Sequence, residues 1–273
     1  VIAQVLISKY CDHTPLYRQS KIYEREGVEL SRSTLADWVG QASVLLDPLI
    51  TLIGQHVMRA VKLHADDTPV PVLCPGRGTT KTGRLWVYVR DDRTCADTTP
   101  PAVLFRYTPD RKAVHPQQHL QSFAGVLQAD AYAGFKGLYE RVQAPLLEAA
   151  CWAHARRKIF DVHETTSSPI ARDVLERIAA LYQIEEQIRG QPAGQRQAVR
   201  QARAGPLLDE LHRFLIDTSR LLPKKSELAG AIRYALSRWP ALTRYRDDGR
   251  VEIDNSAAER ALRGPVDGRK NHF

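Results

Sequence analysis

The first sixty residues place apolar side chains every three or four positions, the period of a helix face rather than of a strand. "AQVLISKY" carries that spacing. "PLYRQSKIYEREG" continues it, with Pro15 suited to a helix start and Gly27 to a helix end. The long run "VELSRSTLADWVGQASVLLDPLITLIGQHVMRAV" has Ser31 or Ser33 as its N-cap. A glycine-containing turn before a helix that opens on Ser, Arg and Thr has the outline of a helix-turn-helix; two packed scaffold helices have the same outline.

Near Val61 the pattern becomes alternating and β-branched. "VKLHADDTPVPVL", "RLWVYVRDD" and "AVLFRYTPD" read as three consecutive strands. The basic stretch "GRGTTKTGR" between the first two lacks the G-x-x-x-x-G-K-[ST] spacing of a phosphate loop and reads as a hairpin loop. "HPQQHLQSF" predicts a short helix. "GVLQADAYAGF" is a strand running into the helix "GFKGLYERVQ", and "LLEAACWAHARRKIF" is a strand followed by a helix. Three strands, then strand and helix in alternation, predict a mixed α/β sheet.

From Pro169 to Tyr245 the helical period returns. Val174, Ile178, Leu181, Glu185 and Ile188 share one side of a helix, apolar except for Glu185. "GPLLDELHRFL" starts a second helix at Pro206. "SELAGAIRYALSRW" is a third, capped by Ser226, with Leu228, Ile232, Ala235 and Trp239 on one stripe and Pro240 at its end. "RDDGRVEI" is a turn and a short extended piece. This helical block interrupts the α/β region as an insertion. The expected layout is a helical segment over 1–60, the first part of a core over 61–160, the insertion over 161–250, and a last core helix over 251–273.

Composition adds limits. With 273 residues, 43% hydrophobic and 26% charged, the chain has the balance of a soluble globular protein with a real core. No apolar run approaches the length of a membrane span, and no secretory signal pattern opens the chain. Val1 in place of Met predicts a piece of a longer protein. The four cysteines are scattered without a C-x-x-C pair, which argues against a zinc ribbon or disulfide framework and fits a reducing cytoplasm. A net charge of +8 favours polyanionic partners without naming one.

The candidate chemistry lies in acids near strand ends. Alternation along "KLHADDTPV" puts Lys62, His64 and Asp66 on one face, and Leu63, Ala65 and Asp67 on the other. In "VLQADAY", Gln128 and Asp130 share a face. Asp66 and Asp130 thus point to the more polar side. Two carboxylates on adjacent strands, with a third from a helix, suit two divalent cations, which stabilise the attacking and leaving oxygens of an in-line phosphoryl transfer. Each acid also has a structural reading. Asp66 and Asp67 suit a turn before Pro69, Asp130 a polar strand end, and Ser256-Ala257-Ala258-Glu259 matches the S-x-x-E capping box.

The segments "LHADDTPVPVL", "GRLWVYVRDD", "LQADAYAGFKGLY", "EAACWAHARRKIFDVH", "KSELAGAIRYALSRWPALTRY" and "IDNSAAERALR…GRKN" together resemble the transposases of the insertion-sequence-sixty-six family, in family order from about residue 60. The resemblance implies a DDE transposase: an RNase H-like α/β core split by a helical insertion, with Asp66, Asp130 and Glu259 as catalytic, metal-holding acids. It implies Mg²⁺ or Mn²⁺ in a two-metal site, DNA ends and target DNA as substrates, a homodimer on DNA with possible accessory proteins, and a bacterial cytoplasmic, nucleoid-associated setting. The family's first motif reads Asp-Glu-Thr; here it is Asp66-Asp67-Thr68, with Asp67 as a candidate accessory. Cys151-Trp152-Ala153-His154 resembles the C-x-x-H signature that precedes such insertions, which makes His154 a second accessory. As a zinc pair it falls two ligands short. Arg156, Arg157 and Lys158, and Arg260, Arg263, Arg269 and Lys270, are candidate phosphate contacts; solvated basic faces are the alternative. The rival functional readings are a non-catalytic DNA-binding protein or truncated, inactive transposase remnant, and an RNase H-like nuclease without strand transfer.

Overall fold

Three helices come first in the computed structural model, which describes residues 1–74, 76, 78–142 and 146–269. They are α1 (Ile2–Tyr10), α2 (Leu16–Arg25) and the long α3 (Arg32–Met58). Gly27 follows α2 at φ 82°, a conformation that costs glycine little. Of the two candidate serines, Ser31 is the cap of α3: its hydroxyl accepts from the Thr34 amide at 3.1 Å. Gln19 ties the first two helices together, donating to the Val5 and Thr14 carbonyls.

A five-stranded mixed sheet follows, in the order β3-β2-β1-β4-β5. The strands are β1 (Lys62–Val72), β2 (Lys81–Arg90), β3 (Ala102–Thr108), β4 (Gly125–Ala129) and β5 (Leu146–Ala149). β1, β2 and β3 form an antiparallel meander, while β4 and β5 run parallel to β1. The stretch between β1 and β2 is a hairpin connection as its sequence predicts; its Arg77 lies outside the described residues. β1 pairs with β4 only from Lys62 to Ala65. Beyond that point the sheet pairing of β1 among the described residues is with β2, and Pro69 and Pro71 fall in this stretch, outside the pairing with β4.

Short helices α4 (Val114–His119) and α5 (Lys136–Tyr139) lie between the strands. The helix expected over "GFKGLYERVQ" is shorter than its pattern: a 3₁₀ turn over Ala133–Phe135 leads into the single turn of α5. Gln143 lies outside the described residues. Leu63, Ala65, Trp86, Tyr88, Leu127 and Ala129 make one sheet face apolar, and it packs against Val57 of α3 and Phe135 and Leu138 beside or in α5. Removing this apolar area from water is what holds the N-terminal helices to the sheet.

The opposite face has two coverings. α12 (Ser256–Arg269) packs Ala258 and Leu262 on Val87 and Val89 of β2. Val126 of β4 and Ala149 of β5 join the core of a helical layer. That layer comprises α6 (Trp152–Thr166), α7 (Pro169–Ile188), α8 (Ala193–Val199), a π-helical turn (Arg200–Ala204), α9 (Gly205–Leu221), α10 (Glu227–Ser237) and α11 (Trp239–Asp247). The predicted stripe of α7 is buried, Glu185 included. Pro240 does not end the third helix: α10 stops at Ser237, and Pro240 sits in the first turn of α11, where its missing N–H has no partner to lose. Among the described residues no helix is long and apolar enough to cross a membrane.

Candidate active site

The parallel register aligns Ala65 of β1 with Ala129 of β4. Asp66 and Asp130 are therefore the next residues on two adjacent strands, at the carboxyl end of the parallel pair. The carboxyl ends of parallel strands are where ligands commonly bind in α/β sheets. The face that carries them is polar but not solvated. Lys62 is buried and pairs with Asp92 at 3.2 Å. His64 is buried too. Asn255 Nδ2 donates to the Ala65 carbonyl at 2.9 Å, so its oxygen faces His64 Nδ1, which donates to it at 3.0 Å. Burial, and then the charge of Lys62, push His64 down to about 3, so it stays a neutral ring.

Asp66 is the strained member. Burial pushes its carboxyl up to about 7; the Asp67 amide, 2.7 Å away, works against this, and the charges of Asp130, Asp67 and Glu259 add to the rise. Three acids, from β1, the end of β4 and α12, thus share one field. Asp67 points the other way, as strand alternation requires. Its carboxylate is 2% exposed and bound by Arg84 at 3.1 Å and Arg111 at 2.7 Å. Arg111 also reaches Asp130 at 3.8 Å and lies over the Tyr132 ring at 4.2 Å.

Glu259 stands in the first turn of α12, exposed at its edge. The capping box expected of Ser256 and Glu259 is not formed: among the described residues neither reciprocal bond is present. The reason is register. The carbonyl of Asn255 already accepts from Ala258 and Glu259, so the helix begins one residue earlier than the motif assumes. Asp254 takes the Ser256 amide at 3.0 Å. The Glu259 carboxylate is therefore free of a cap and lies with Cys151 Sγ and a His154 ring nitrogen, all within 4.8 Å of one another. Cys151 is buried, accepts from the Asn255 amide at 3.3 Å, and is pushed up to about 11, chiefly by burial.

The basic candidates divide. Lys158 lines a groove with Arg111, Asp130, Tyr132, His154 and Tyr234, and lies 4.9 Å over the Tyr234 ring. Arg156 lines a different hollow, beside Tyr182 and Asp254. Arg157 and Arg263 are exposed. Arg260 borders a small polar hollow with His64, Asp91 and Glu252. Arg269 ends α12, and Lys270 lies outside the described residues.

The sequence profile of the transposase IS66 family matches residues 1–273. The chain belongs to that family. Its relatives include two proteins of Sinorhizobium fredii (strain NBRC 101917 / NGR234), both named only as uncharacterized. Protein y4hP is 41% identical over 285 residues, covering 99% of this chain and 51% of the relative. Protein y4qI is 39% identical over 276 residues, covering 99% and 51%. The chain spans about half the length of the curated relatives it matches.

Reading the residues of this IS66-family chain singly misses Arg111, Tyr132 and Tyr234, which come from two loops and α10. It also misses what holds α12 in place. Glu252, just before the helix, accepts from Thr94 at 2.6 Å and Arg196 at 2.8 Å. Buried Arg200 and Arg196 both reach Glu185, at 2.6 and 3.5 Å. The one signal for this network is Glu185 itself, a lone acid on an apolar stripe.

Proposed function

We propose that this chain carries the catalytic core of a DDE transposase, with Asp66, Asp130 and Glu259 as its three acids. The observation that carries this reading is the shared field at Asp66: beyond its burial, the charges of Asp130 and Glu259, both distant in the chain, and of neighbouring Asp67 oppose its ionisation. The sheet order, with three antiparallel strands followed by two parallel ones and the helical layer lying between β5 and α12, supports an RNase H-like core with an insertion.

The donor set fits Mg²⁺ or Mn²⁺. All three groups are hard oxygen donors, and a divalent cation offsets both the burial that chiefly raises Asp66 and the acid charges that add to the rise. Asp66 and Asp130 would hold the ions and Glu259 complete the site; a bound pair supplies charge stabilisation to both oxygens of the in-line displacement. The chain's own residues do the rest. Asp67 anchors Arg111 at the rim, and Lys158 stands where a phosphate backbone would pass Asp130. Water attacks the phosphorus at the element end, and the bond to the 3′ oxygen breaks. The freed 3′-hydroxyl then attacks a target phosphate and displaces the target's own 3′ oxygen. Element ends and target DNA are the substrates, and a homodimer pairs the two ends.

The test uses full-length protein and DNA carrying the element's ends. Asp66→Ala, Asp130→Ala and Glu259→Ala should each cut metal-dependent cleavage and strand transfer by about a hundredfold or more. Normal activity in any of the three removes that residue from the site. Arg111, reaching both Asp67 and Asp130, favours a second reading, a non-catalytic DNA-binding protein whose acids are neutralised by arginine. Calorimetry showing no Mg²⁺ binding that depends on the three acids would select it.

A further inference from the structure

Beside the carboxylates the fold gathers a donor set of different chemistry. Cys151 is the N-cap of α6 and His154 lies in its first turn, while Glu259 arrives from the first turn of α12. One donor atom from each lies within 4.8 Å of the other two. The Nδ1 of His154 is buried and, among the described residues, has no hydrogen-bond partner. Native proteins seldom leave such an atom unpaired, because its desolvation is not recovered. The C-x-x-H pair alone is two ligands short of a zinc site; the fold supplies the third from 105 positions along the chain (Glu259 against His154). Three protein ligands with the fourth position left to water is a coordination that zinc adopts in proteins.

We propose that Cys151, His154 and Glu259 form a binding site for a borderline divalent cation of the Zn²⁺ class, distinct from the oxygen-only site at Asp66 and Asp130. Sulfur and imidazole select Zn²⁺ or Co²⁺ over Mg²⁺, which prefers oxygen and keeps its water. Tetrahedral ligands stand about 3.5 Å apart, so no pair in the set needs to close by more than about 1.3 Å. Glu259 is exposed and takes up that movement by a rotamer change. The thiol proton passes to water as the metal–sulfur bond forms. Glu259 is then shared between two sites. Held by Cys151 and His154, it is withdrawn from Asp66, and Zn²⁺ opposes Mg²⁺. This last consequence rests on the catalytic reading above; the site itself does not.

Co²⁺ reports on the site without any activity measurement. The purified chain is titrated with Co²⁺ in excess Mg²⁺ while thiolate-to-cobalt charge-transfer absorption is followed. One equivalent should saturate the band, and Zn²⁺ should remove it. Cys151→Ser should abolish it. His154→Ala and Glu259→Ala should weaken Co²⁺ binding at least about tenfold, the loss that even outer partners of metal sites cause. The double variant Asp66→Asn/Asp130→Asn should keep the band. Thermal melting checks the fold of each variant; if Cys151→Ser fails to fold, the other two single variants report with the thiol intact. Absence of the band overturns the proposal. So does a band that survives Cys151→Ser, or one undiminished by Glu259→Ala. Active Asp66→Ala protein alongside the expected cobalt spectra would sink the catalytic reading and leave this site standing.

Discussion

Asp66 is a carboxyl whose surroundings oppose its ionisation. Its carboxyl, pushed up to about 7, lies above the ordinary value of 3.8, so the folded chain holds this proton more tightly than the unfolded chain. The contribution to stability is therefore greatest below about pH 4 and is lost as pH rises towards 7. Asp66→Asn removes the loss. In chelator, urea unfolding should show the variant more stable than wild type by about 2–4 kcal/mol at pH 8, with the gap closing near pH 4. Equal stability at both pH values would mean that Asp66 is not held in this field. At this scale the alternation of a strand is enough to separate Asp66 from Asp67. It says nothing of Arg111, which meets Asp67 in the middle of β1 only because the loop after β3 reaches past β2.

Elements place the acids, and two of them depend on single contacts. β4 begins at Gly125 with φ 141°, and a side chain there would run into the Val61 carbonyl that accepts from the Val126 amide. This close approach sets the register that brings Asp130 beside Asp66. Gly125→Ala should destabilise the chain by about 2–4 kcal/mol, measured by urea unfolding. A neutral result would show that β4 can shift without cost. α12 illustrates the opposite lesson. Its S-x-x-E motif is a real local signal, yet Asn255, held by His64 and Ala65 on a strand some 190 residues away, starts the helix earlier. A long-range bond overrides a local preference and frees Glu259.

At the scale of the whole molecule, the helical layer and the sheet share one core. Val126, Ala149 and Trp152 pack with Ile178, Leu208 and Ile232, and Trp152 donates to the Leu242 carbonyl at 2.8 Å. The polar tie is Glu252. Burial would raise its carboxyl, but the hydrogen bond and charge of Arg196, with Lys62 and Thr94, outweigh burial and hold it at about 2. A depressed carboxyl stabilises fully above its ordinary pKa of 4.5, and the stability is lost as pH falls towards 2. Glu252→Ala leaves buried Arg196 short of a partner and should cost about 3–5 kcal/mol at pH 7 by urea unfolding. A cost below about 1 kcal/mol would show that Glu185 alone satisfies both arginines.

Periodicity of 2 or 3.6 follows from backbone geometry, so the strands, most helices and the face of each aspartate were legible along the chain. So was the lone acid of α7. Turn chemistry was local too, as Gly27 and Ser31 show. Partners far apart in sequence were not: Arg111 with Asp67, Arg196 with Glu252, and Glu259 with Cys151 and His154 meet only when the sheet and helices have packed. The capping of α12 belongs with them, because a helix start is chosen among competing hydrogen bonds and the winning bond came from β1. Side-chain types set which chemistry is possible here; the packing of β1, β4, α6 and α12 sets which of those groups stand close enough to perform it.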